Sequence, residues 1–295
     1  MGEQEQRVLL ISGCSTGIGQ VSAVRMQQRG WRVFAGVRRE ADLQPLREAG
    51  VEPLVLDVDN SESIHAAVDT VLTATGGRLN ALFNNAGYGQ PGALEDLDRA
   101  ALRAQFETNL FGAHELTCAV LPAMRAAGRG RIVFNSSVLG FAALPFRGAY
   151  NASKFAMEGL ADTLRMELRN SGIQVSLIEP GPIATAFRAN AHRHFKAQID
   201  PQSSVHKETY RAMERRLTAP DGAGGFTLPP ESVVKRLIHA LEAPRARPRY
   251  YVTFPTYLFG TLRRFLSTRM MDAILLRSTV SERQLSATDR NDEPG

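Results

Sequence analysis

The chain has 295 residues, of which 43% are hydrophobic, so it is long and apolar enough to bury one sizeable α/β core. Two cysteines, Cys14 and Cys118, are too few for a disulfide scaffold or a four-thiolate zinc site, so we expect no metal and a reducing, cytoplasmic location. The net charge of +5 is carried mainly by arginine, but no basic run interleaves with aromatic residues, so we expect no nucleic-acid partner.

Short apolar, β-branched segments recur along the chain, and each is followed by a stretch with helical periodicity. This alternation is typical of repeated βαβ units and predicts an α/β fold, a Rossmann-like, doubly wound, parallel seven-stranded sheet in a single domain. The apolar strands imply helices on both faces. The predicted strands span residues 8–11, 32–35, 51–56, 81–83, 131–135, 175–178 and 250–253. The predicted helices span residues 18–29, 61–73, 101–124, 153–170 and 231–242.

The chain is predicted to divide into a nucleotide-binding catalytic domain, residues 1–255, followed by two short segments. Within the domain, residues 187–228 show weak periodicity, which favours a lid over the substrate site. Residues 256–278 mix large apolar side chains with arginines and predict an amphipathic extension. Residues 279–295 are polar and predict a disordered tail. The polar, acidic N-terminus lacks the basic-then-apolar order of a signal peptide.

The amphipathic extension has two possible interpretations. Its apolar side chains are expected to pack against the sheet or a partner subunit, because apolar helix stripes are usually buried in protein. The alternative is that it closes an apolar pocket and gives weak, salt-sensitive peripheral contact with a membrane. Its arginines interrupt any apolar run of transmembrane length, so a spanning helix is not expected.

A glycine-rich turn joins the first predicted strand to the first predicted helix. Its sequence is Ser12-Gly13-Cys14-Ser15-Thr16-Gly17-Ile18-Gly19. Glycines at such a turn let the backbone approach a phosphate at a helix N-terminus, so the turn predicts dinucleotide binding. An ordinary strand-to-helix turn is the alternative.

Two arginines, Arg38 and Arg39, follow the second predicted strand, where an NAD enzyme usually carries an acidic residue for the adenosine ribose. Guanidinium groups stay charged and bind phosphate bidentately, so the pair favours NADP(H) over NAD(H). A solvated basic turn in an arginine-rich chain is the alternative.

The third and fourth predicted strands also end in candidate cofactor contacts. Asp57 and Val58 follow the third strand, where a carboxylate and a backbone amide would lie beside the adenine. Asp57 is equally suited to a helix-capping turn. The fourth strand runs into Asn84-Asn85-Ala86-Gly87, whose small side chains and amides allow close cofactor approach and tie adjacent strand ends together.

The most specific feature is the pair Tyr150 and Lys154, whose i and i+4 positions lie on one helix face. The unperturbed pKa of tyrosine, near 10, is too high for a base at neutral pH, so a nearby ammonium is expected to lower it. Ser137, in the turn after the fifth predicted strand, has a hydroxyl that would reach a substrate oxygen. Its alternative role is local turn chemistry.

Together these motifs resemble the one-domain type of the short-chain dehydrogenase/reductase family over residues 7 to about 255. The matching positions are Ser12, Gly13, Gly17, Ile18, Gly19, Asp57, Asn84, Asn85, Ala86, Gly87, Asn109, Ser137, Tyr150, Lys154, Pro180, Gly181, Pro182, Ile183 and Thr185. The chain departs from the family at Ser12, where threonine is usual, and at Thr16, where NADP-specific members often carry a basic residue. The expected cofactor preference therefore depends on Arg38 and Arg39.

The resemblance implies further roles. Asn109 would kink its helix and hold a proton-relay water, and Ile183 and Thr185 would contact the nicotinamide carboxamide. The residues expected to bind the cofactor are Gly13, Ser15, Thr16, Gly17, Ile18, Gly19, Arg38, Arg39, Asp57, Val58, Asn85, Ala86, Gly87, Tyr150, Lys154, Pro180, Gly181, Ile183 and Thr185. The expected catalytic residues are Asn109, Ser137, Tyr150 and Lys154.

Within the family, Tyr88-Gly89 after the asparagine motif and Glu179 before Pro180 are most similar to 17β-hydroxysteroid dehydrogenase-like, retinol dehydrogenase-like and bacterial aldehyde reductase-like members. This implies a small apolar carbonyl or alcohol substrate, with NADP(H) as cofactor and tyrosine as proton donor. It also implies a homodimer or homotetramer. A regulator that binds NAD(P) without catalysis and a lipid-binding protein at a membrane surface are the alternative functions.

Overall fold

The computed structural model of the chain describes residues 6–218 and 226–288. Seven parallel strands form one sheet in the order β3-β2-β1-β4-β5-β6-β7. The strands are β1 Val8–Ile11, β2 Arg32–Val37, β3 Glu52–Val55, β4 Ala81–Asn84, β5 Gly130–Asn135, β6 Ile173–Glu179 and β7 Arg249–Tyr251. The predicted Rossmann-like, doubly wound sheet is therefore confirmed.

The helices connect the strands and extend beyond the last one. They are α1 Gly17–Gln28, α2 Gln44–Glu48, α3 Ser61–Thr75, α4 Arg99–Phe106, α5 Gly112–Ala126, α6 Gly148–Glu167, α7 Phe187–Gln198, α8 Lys207–Thr218, α9 Glu231–Glu242, α10 Phe254–Leu262 and α11 Thr268–Thr288. A π-helical segment, Glu107–Phe111, joins α4 to α5.

Both faces of the sheet are covered, as the apolar strands predicted. Leu10 in β1 faces a core built with α3, α5 and α6, whereas Leu9 and Ile11 face a second core built with α1 and α9. Because side chains alternate along a strand, one four-residue strand supplies both cores. All four residues of β1 are buried.

Three sequence predictions differ from the structure. The predicted helix at 153–170 begins earlier in the structure, at Gly148. Its N-cap residue, Arg147, makes no side-chain cap, so the sequence carries no capping signal at the true start. The weak pattern at 187–228 contains two helices, α7 and α8, with residues 219–225 outside the described part. The helix α11 reaches Thr288, ten residues into the segment expected to be disordered, and residues 289–295 lie outside the described residues.

The helices α7 and α8 pack on the loop that follows β4. Phe195 and Tyr210 are buried in a small core of their own with Ala93. The hydroxyl of Tyr210 donates to Asp96 and accepts from the backbone amide of Ala93 at 2.9 Å. The buried residues Tyr210, Met213 and Leu217 follow helical spacing, a signal that the surrounding polar residues obscure in the sequence.

Candidate active site

The glycine turn after β1 is closed tightly against β4. Gly13 has φ +72°, and a Cβ there would lie 2.7 Å from the Cα of Ala86. A Cβ on Gly19 would lie 2.2 Å from the carbonyl oxygen of Gly13. Gly17 has φ +62°, and a Cβ there would lie 3.1 Å from the Cβ of Thr185. Only glycine satisfies these positions, so the turn keeps bare backbone at the start of α1.

The remaining members of the turn lie at its surface. Ser15 and Thr16 are exposed between Gly13 and Gly17, and Ile18 is half-buried beneath them. Thr16 is the N-cap residue of α1 and makes no side-chain cap. The first backbone amides of α1 therefore have no hydrogen-bond partner in the Thr16 side chain. Uncapped amides at a helix N-terminus suit an anionic ligand.

Side-chain amides bind the ends of three neighbouring strands together. The Nδ2 of Asn85 donates to the carbonyl oxygens of Ser12 at 3.1 Å and Gly13 at 2.9 Å. The Nδ2 of Asn135 donates to the Oδ1 of Asn85 at 2.9 Å. The Oγ of Ser12 accepts from the backbone amides of Asn85 and Ala86, each at 3.1 Å. These bonds fix the glycine turn against β4 and β5.

The two arginines after β2 differ in their contacts. Arg39 is bound bidentately to Asp42, with its Nε and Nη2 atoms 3.0 and 2.9 Å from the carboxylate oxygens. Arg38 is exposed and has no hydrogen bond or ion pair within residues 6–218 and 226–288. Of the two guanidinium groups, that of Arg38 is the one available to a ligand.

Asp57 and Val58 follow β3 and are held by local contacts. The backbone amide of Asp57 donates to the Oγ of Ser63 at 2.9 Å, and its Oδ1 accepts from the backbone amide of Asp59 at 3.1 Å. Val58 is buried, and a Cβ on Gly112 of α5 would lie 2.1 Å from its carbonyl oxygen. The second carboxylate oxygen of the half-buried Asp57 takes no part in these contacts.

The helix α6 carries Tyr150 and Lys154 one turn apart, beside the end of β5. The Nζ of Lys154 donates to the carbonyl oxygen of Asn135 at 2.7 Å and lies 5.7 Å from the ring centroid of Tyr150. Ser137 lies in the turn after β5, where its Oγ accepts from the backbone amide of Leu139 at 3.1 Å. The same Oγ donates to the carbonyl oxygen of Pro180 at 3.5 Å, and Ser137 lies close enough to Tyr150 to act on its pKa. Three of the four predicted catalytic side chains are thus brought together at the carboxyl edge of the sheet.

Burial sets the protonation of the tyrosine and the lysine. It raises the pKa of Tyr150 to about 12, although the hydrogen bond from Ser137 acts in the opposite direction. Burial also lowers the pKa of Lys154 to about 8, against the effect of the Glu158 carboxylate. The expectation that the ammonium would lower the pKa of the tyrosine is therefore wrong, because desolvation raises this pKa and the opposing contribution comes from Ser137. At neutral pH the phenol carries its proton.

Asn109 lies in the π-helical segment, where the predicted helix at 101–124 is interrupted. Its Oδ1 accepts from the backbone amide of Tyr88 at 3.0 Å, and its Nδ2 donates to the Tyr88 carbonyl oxygen and to Ser153 Oγ, each at 3.0 Å. A Cβ on Gly87 would lie 3.1 Å from this Oδ1 and 3.8 Å from the Nζ of Lys154. Asn109 therefore fastens the loop after β4 to α6, close to Lys154.

The loop after β6 completes the carboxyl edge. The carbonyl oxygen of Pro180 accepts from the backbone amide of Val138 at 2.8 Å, and a Cβ on Gly181 would lie 2.1 Å from the Oγ1 of Thr253. Ile183 forms a β-bridge with Leu228. These contacts place the loop between the Ser137 turn and the segment that returns from α8.

The start of α7 closes over the tyrosine. Thr185 Oγ1 accepts from the backbone amide of Phe187 at 3.3 Å. The ring of Phe187 meets that of Tyr150 edge-on, with centroids 5.6 Å apart. A Cβ on Gly89 would lie 3.0 Å from the Cζ of Phe187. An aromatic wall therefore stands beside the candidate proton donor.

Further along α7, His194 packs on the loop that follows β4. The ring of His194 stacks on Tyr88 with centroids 3.9 Å apart. Burial lowers the pKa of His194, and the positive charges of Arg193 and Arg38 act in the same direction. The helix thus runs along the cleft from Tyr150 towards Arg38.

Comparison with known proteins identifies the family of this chain. The family model for short chain dehydrogenases matches residues 7–195 of the chain. The chain belongs to the short-chain dehydrogenase family. An oxidoreductase of Escherichia coli, named YbbO and described as uncharacterized, is 43% identical over 93% of this chain and 96% of its own length. Human 17-beta-hydroxysteroid dehydrogenase type 1 is 35% identical over 83% of this chain and 77% of its own length.

Solved structures of short-chain dehydrogenases have the same fold. A Burkholderia phymatum short chain dehydrogenase/reductase in complex with NAD has a TM-score of 0.74 and 28% identity, covering 89% of this chain and 94% of that one. An actinorhodin polyketide ketoreductase variant with NADPH has a TM-score of 0.70 and 30% identity, covering 85% of this chain and 97% of that one. The chain is an oxidoreductase of a family whose solved members bind NAD or NADP(H).

A nicotinamide dinucleotide fits the residues of this short-chain dehydrogenase. At Gly13, Gly17 and Gly19 a Cβ would meet other atoms of the protein, so these glycines let the turn fold tightly and present backbone at the start of α1, where a pyrophosphate binds in this type of fold. The Oδ1 of Asn135 is buried without a partner in the described part, so a polar atom at the strand ends remains to be satisfied.

A partly buried ionic cluster lies behind the site and was not predicted from the sequence. Arg249 of β7 binds Glu158 and Asp162 of α6, and its Nη1 lies 2.8 Å from the Oε1 of Glu179. The Oγ of Ser136 donates to Glu158. One sequence signal was present, since Glu158 follows Lys154 by four residues and so shares its helix face. The partners of Glu158, Ser136 and Arg249, are 22 and 91 residues away in the sequence, so no local pattern identified them.

Proposed function

We propose that this short-chain dehydrogenase reduces the carbonyl group of a small apolar aldehyde or ketone with NADPH, and oxidises the corresponding alcohol in reverse. The observation that carries the proposal is the convergence of Ser137, Tyr150 and Lys154 beside the glycine cradle. The bound nicotinamide would supply the hydride to the carbonyl carbon. The side chains of the protein supply the proton and hold the oxygen.

Tyr150 is the proposed proton donor to the carbonyl oxygen. Its pKa of about 12 keeps the phenol protonated at neutral pH, which suits the direction of reduction. The Oγ of Ser137 donates a hydrogen bond to the same oxygen and fixes its position. Positioning of this kind lowers the barrier because the reacting groups no longer need to be brought together.

Lys154 and Asn109 support the proton path. The Nζ of Lys154 is fixed by the Asn135 carbonyl oxygen and has a longer contact with the Met157 Sδ at 3.8 Å. We propose that this ammonium also holds the cofactor ribose and restores a proton to Tyr150. Asn109 holds the loop after β4 against α6 through its three hydrogen bonds, which orders the region in which a relay water would bind.

The proposed preference for NADPH over NADH depends chiefly on Arg38. Arg39 is already bound to Asp42, whereas Arg38 is exposed beside the end of β2. A guanidinium that has no carboxylate partner in the described chain is the better ligand for a 2′-phosphate. The backbone of Asp57 and Val58 would then lie beside the adenine ring.

An apolar substrate is supported by the walls of the site. Phe187 lies against Tyr150, and Val138, next to Ser137, belongs to an apolar cluster with Met271 and Leu275 of α11. A relative named as a hydroxysteroid dehydrogenase is consistent with an apolar skeleton. The helices α7 and α8 would act as the lid that encloses it.

Self-association is proposed from exposed apolar residues on the helices of one face. Phe111, at the end of the π-helical segment, is 48% exposed, and on α6 Phe155 is 39% and Met166 62% exposed. Large apolar side chains clustered on adjacent helices are typical of subunit interfaces. We propose a homodimer or homotetramer in the cytoplasm, and multi-angle light scattering of Phe155→Asp against the wild type tests the interface.

Weak membrane contact is a second proposal, supported by the C-terminal helices. Phe254 and Phe265 are 60% and 80% exposed. No helix among the described residues is long and apolar enough to cross a bilayer.

The deciding experiment is a turnover assay with NADPH and NADH across aliphatic, aromatic, steroid and retinoid carbonyls. Turnover with apolar carbonyls and a preference for NADPH would support the proposal. Tight cofactor binding without turnover of any substrate would favour a regulatory protein instead.

A further inference from the structure

A second cavity lies away from the glycine turn, at the β7 edge of the sheet. Its volume is about 340 Å³, and its walls come from α9, from β7 and the residues before it, and from the region of α10. Five cationic side chains, three tyrosines and one histidine line it, and the described walls contain no carboxylate. None of the predicted cofactor or catalytic residues is among them.

Three of the cations have no acidic partner. Lys235, Arg247 and Arg264 are exposed, and no ion pair binds them within residues 6–218 and 226–288. Arg249 differs, because its guanidinium is turned inward to Glu158 and Glu179. Uncompensated like charges around one cavity repel each other, and an anion would relieve that repulsion.

Hydrogen bonds fix Arg236 and two tyrosine hydroxyls of the cavity. The Nε of Arg236 donates to the carbonyl oxygen of Tyr251 at 3.2 Å, and its Nη2 donates to the Tyr257 hydroxyl at 3.3 Å. Since that hydroxyl oxygen accepts, its own proton remains free to donate to a ligand. On the other wall, the Tyr250 hydroxyl is held by the Arg247 backbone amide and by His239, each at 2.8 Å.

We propose that this cavity, lined by Lys235, Arg236, Arg247, Tyr257 and Arg264, is an anion site for a phosphate group. Arginine matches phosphate through two parallel N–H donors, and the cavity combines several arginines with a tyrosine hydroxyl. Its volume is that of a small ligand site. The phosphate would come either from a soluble phosphorylated compound or from an anionic lipid headgroup. The second source is suggested by the exposed Phe254 and Leu258 on α10, beside Tyr257.

The first test is isothermal titration of the full chain with inorganic pyrophosphate at constant ionic strength, with NADP⁺ present in excess to occupy the cofactor cleft. The site predicts one saturable binding event that persists with NADP⁺. The double variant Arg247→Glu/Arg264→Glu should weaken binding at least tenfold. The control Arg245→Glu/Arg269→Glu removes the same charge from exposed arginines outside the cavity and should change it less than threefold.

The second arm compares co-sedimentation with phosphatidylglycerol and phosphatidylcholine vesicles. Loss of phosphatidylglycerol binding in the cavity variant but not in the control identifies a headgroup, whereas pyrophosphate binding without that difference identifies a soluble source. Equal losses in both double variants would overturn the proposal, because binding would then follow net charge alone. Abolition of pyrophosphate binding by NADP⁺ would also overturn it. Circular-dichroism melts confirm that each variant is folded.

Discussion

The ammonium of Lys154 is 2.7 Å from the carbonyl oxygen of Asn135, so the catalytic helix is fastened directly to the end of β5. Lys154 is 4% exposed and has little freedom to reorient. The Nδ2 of the same Asn135 binds Asn85, which in turn binds the glycine turn. One asparagine thus sets the distance between the candidate proton donor and the cofactor cradle, and the following predictions depend on that geometry.

Tyr150→Phe is expected to lower kcat by about 10² to 10⁴, because it removes the proton donor and little volume. The Kd of NADPH should stay within a few-fold of the wild-type value, since the aromatic ring against Phe187 is retained. Steady-state kinetics and fluorescence titration of the cofactor measure the two quantities. Phe146→Leu, at the only described non-glycine residue with positive φ, lies just before α6 and is a control for general disturbance near the start of the helix that carries Tyr150. Near-normal turnover in Tyr150→Phe would remove the tyrosine from the mechanism.

The rate of reduction is expected to fall as the pH rises above about 8. The pKa of Lys154 is lowered to about 8, so its ammonium, which restores the proton to Tyr150, is lost over that range, while the phenol with a pKa of about 12 stays protonated. Lys154→Arg should reduce kcat and also abolish the fall near pH 8, because a guanidinium stays charged. Lys235→Arg, the same exchange at an exposed lysine, should leave both kcat and the fall in rate near pH 8 unchanged. A descending limb that persists in Lys154→Arg would belong to another group.

Arg38→Ala is expected to weaken NADPH binding about tenfold or more and NADH binding little, because it removes a charge-assisted contact to the 2′-phosphate. Arg39→Ala should have the smaller effect on NADPH, since its guanidinium is bound to Asp42. The Kd ratio of the two cofactors, measured for each variant, is the readout. If the ratio of the two Kd values is the same in both variants and the wild type, neither arginine contacts the 2′-phosphate.

Local patterns predicted most of the fold because each strand has a local apolar signature. The first strand, at 8–11, coincides with β1, and the helix at 231–242 coincides with α9. The helix containing Tyr150 was placed too late because no capping side chain precedes Gly148. The pair Tyr150 and Lys154 was found since both lie within one turn.

Contacts between distant segments were not predictable in this way. Arg249 meets Glu158 across 91 residues, and nothing in the local pattern of β7 identifies a carboxylate partner. The pairing of Arg39 with Asp42 lies only three residues apart, yet it competes with a ligand contact that the same residues also suggest. Sequence alone therefore named both arginines without distinguishing them.

The unfolding free energy should fall with rising pH because of Glu179. Burial raises the pKa of Glu179 to about 8, and the neighbouring Glu158 carboxylate adds to the rise. Between its ordinary pKa near 4.5 and about 8, the unfolded chain releases the proton while the folded chain keeps it, so stability present at low pH is lost as the pH rises.

Glu179→Gln is expected to remove this loss, because the amide stays neutral and keeps an oxygen for Arg249. Urea denaturation at pH 5 and pH 8 should show a smaller difference in Glu179→Gln than in the wild type, by an amount on the order of 1–4 kcal/mol. Glu167→Gln, at the exposed end of α6, is the matched control and should retain the wild-type difference. An unchanged difference in Glu179→Gln would show that the carboxyl ionises in the folded protein at the usual pH.

The last prediction separates the two readings of the C-terminal helix α11. Met271 is 8% exposed and packs with Val138 and Ala142, directly after Ser137, whereas its neighbour Met270 is 54% exposed. Met271→Ala should lower the unfolding free energy by about 2–5 kcal/mol, because it removes buried methylenes and leaves a cavity. Met270→Ala should change it by less than about 0.5 kcal/mol.

The same pair of variants reports on the substrate pocket. If α11 braces the Ser137 turn, Met271→Ala should raise the KM for a long apolar carbonyl more than the KM for a short polar one, since only the former extends to the apolar cluster. Met270→Ala should affect neither KM but would weaken vesicle co-sedimentation at low salt if the exposed side of α11 contacts a membrane. Equal stability and equal KM values in the two variants would show that α11 neither packs on the turn nor shapes the pocket.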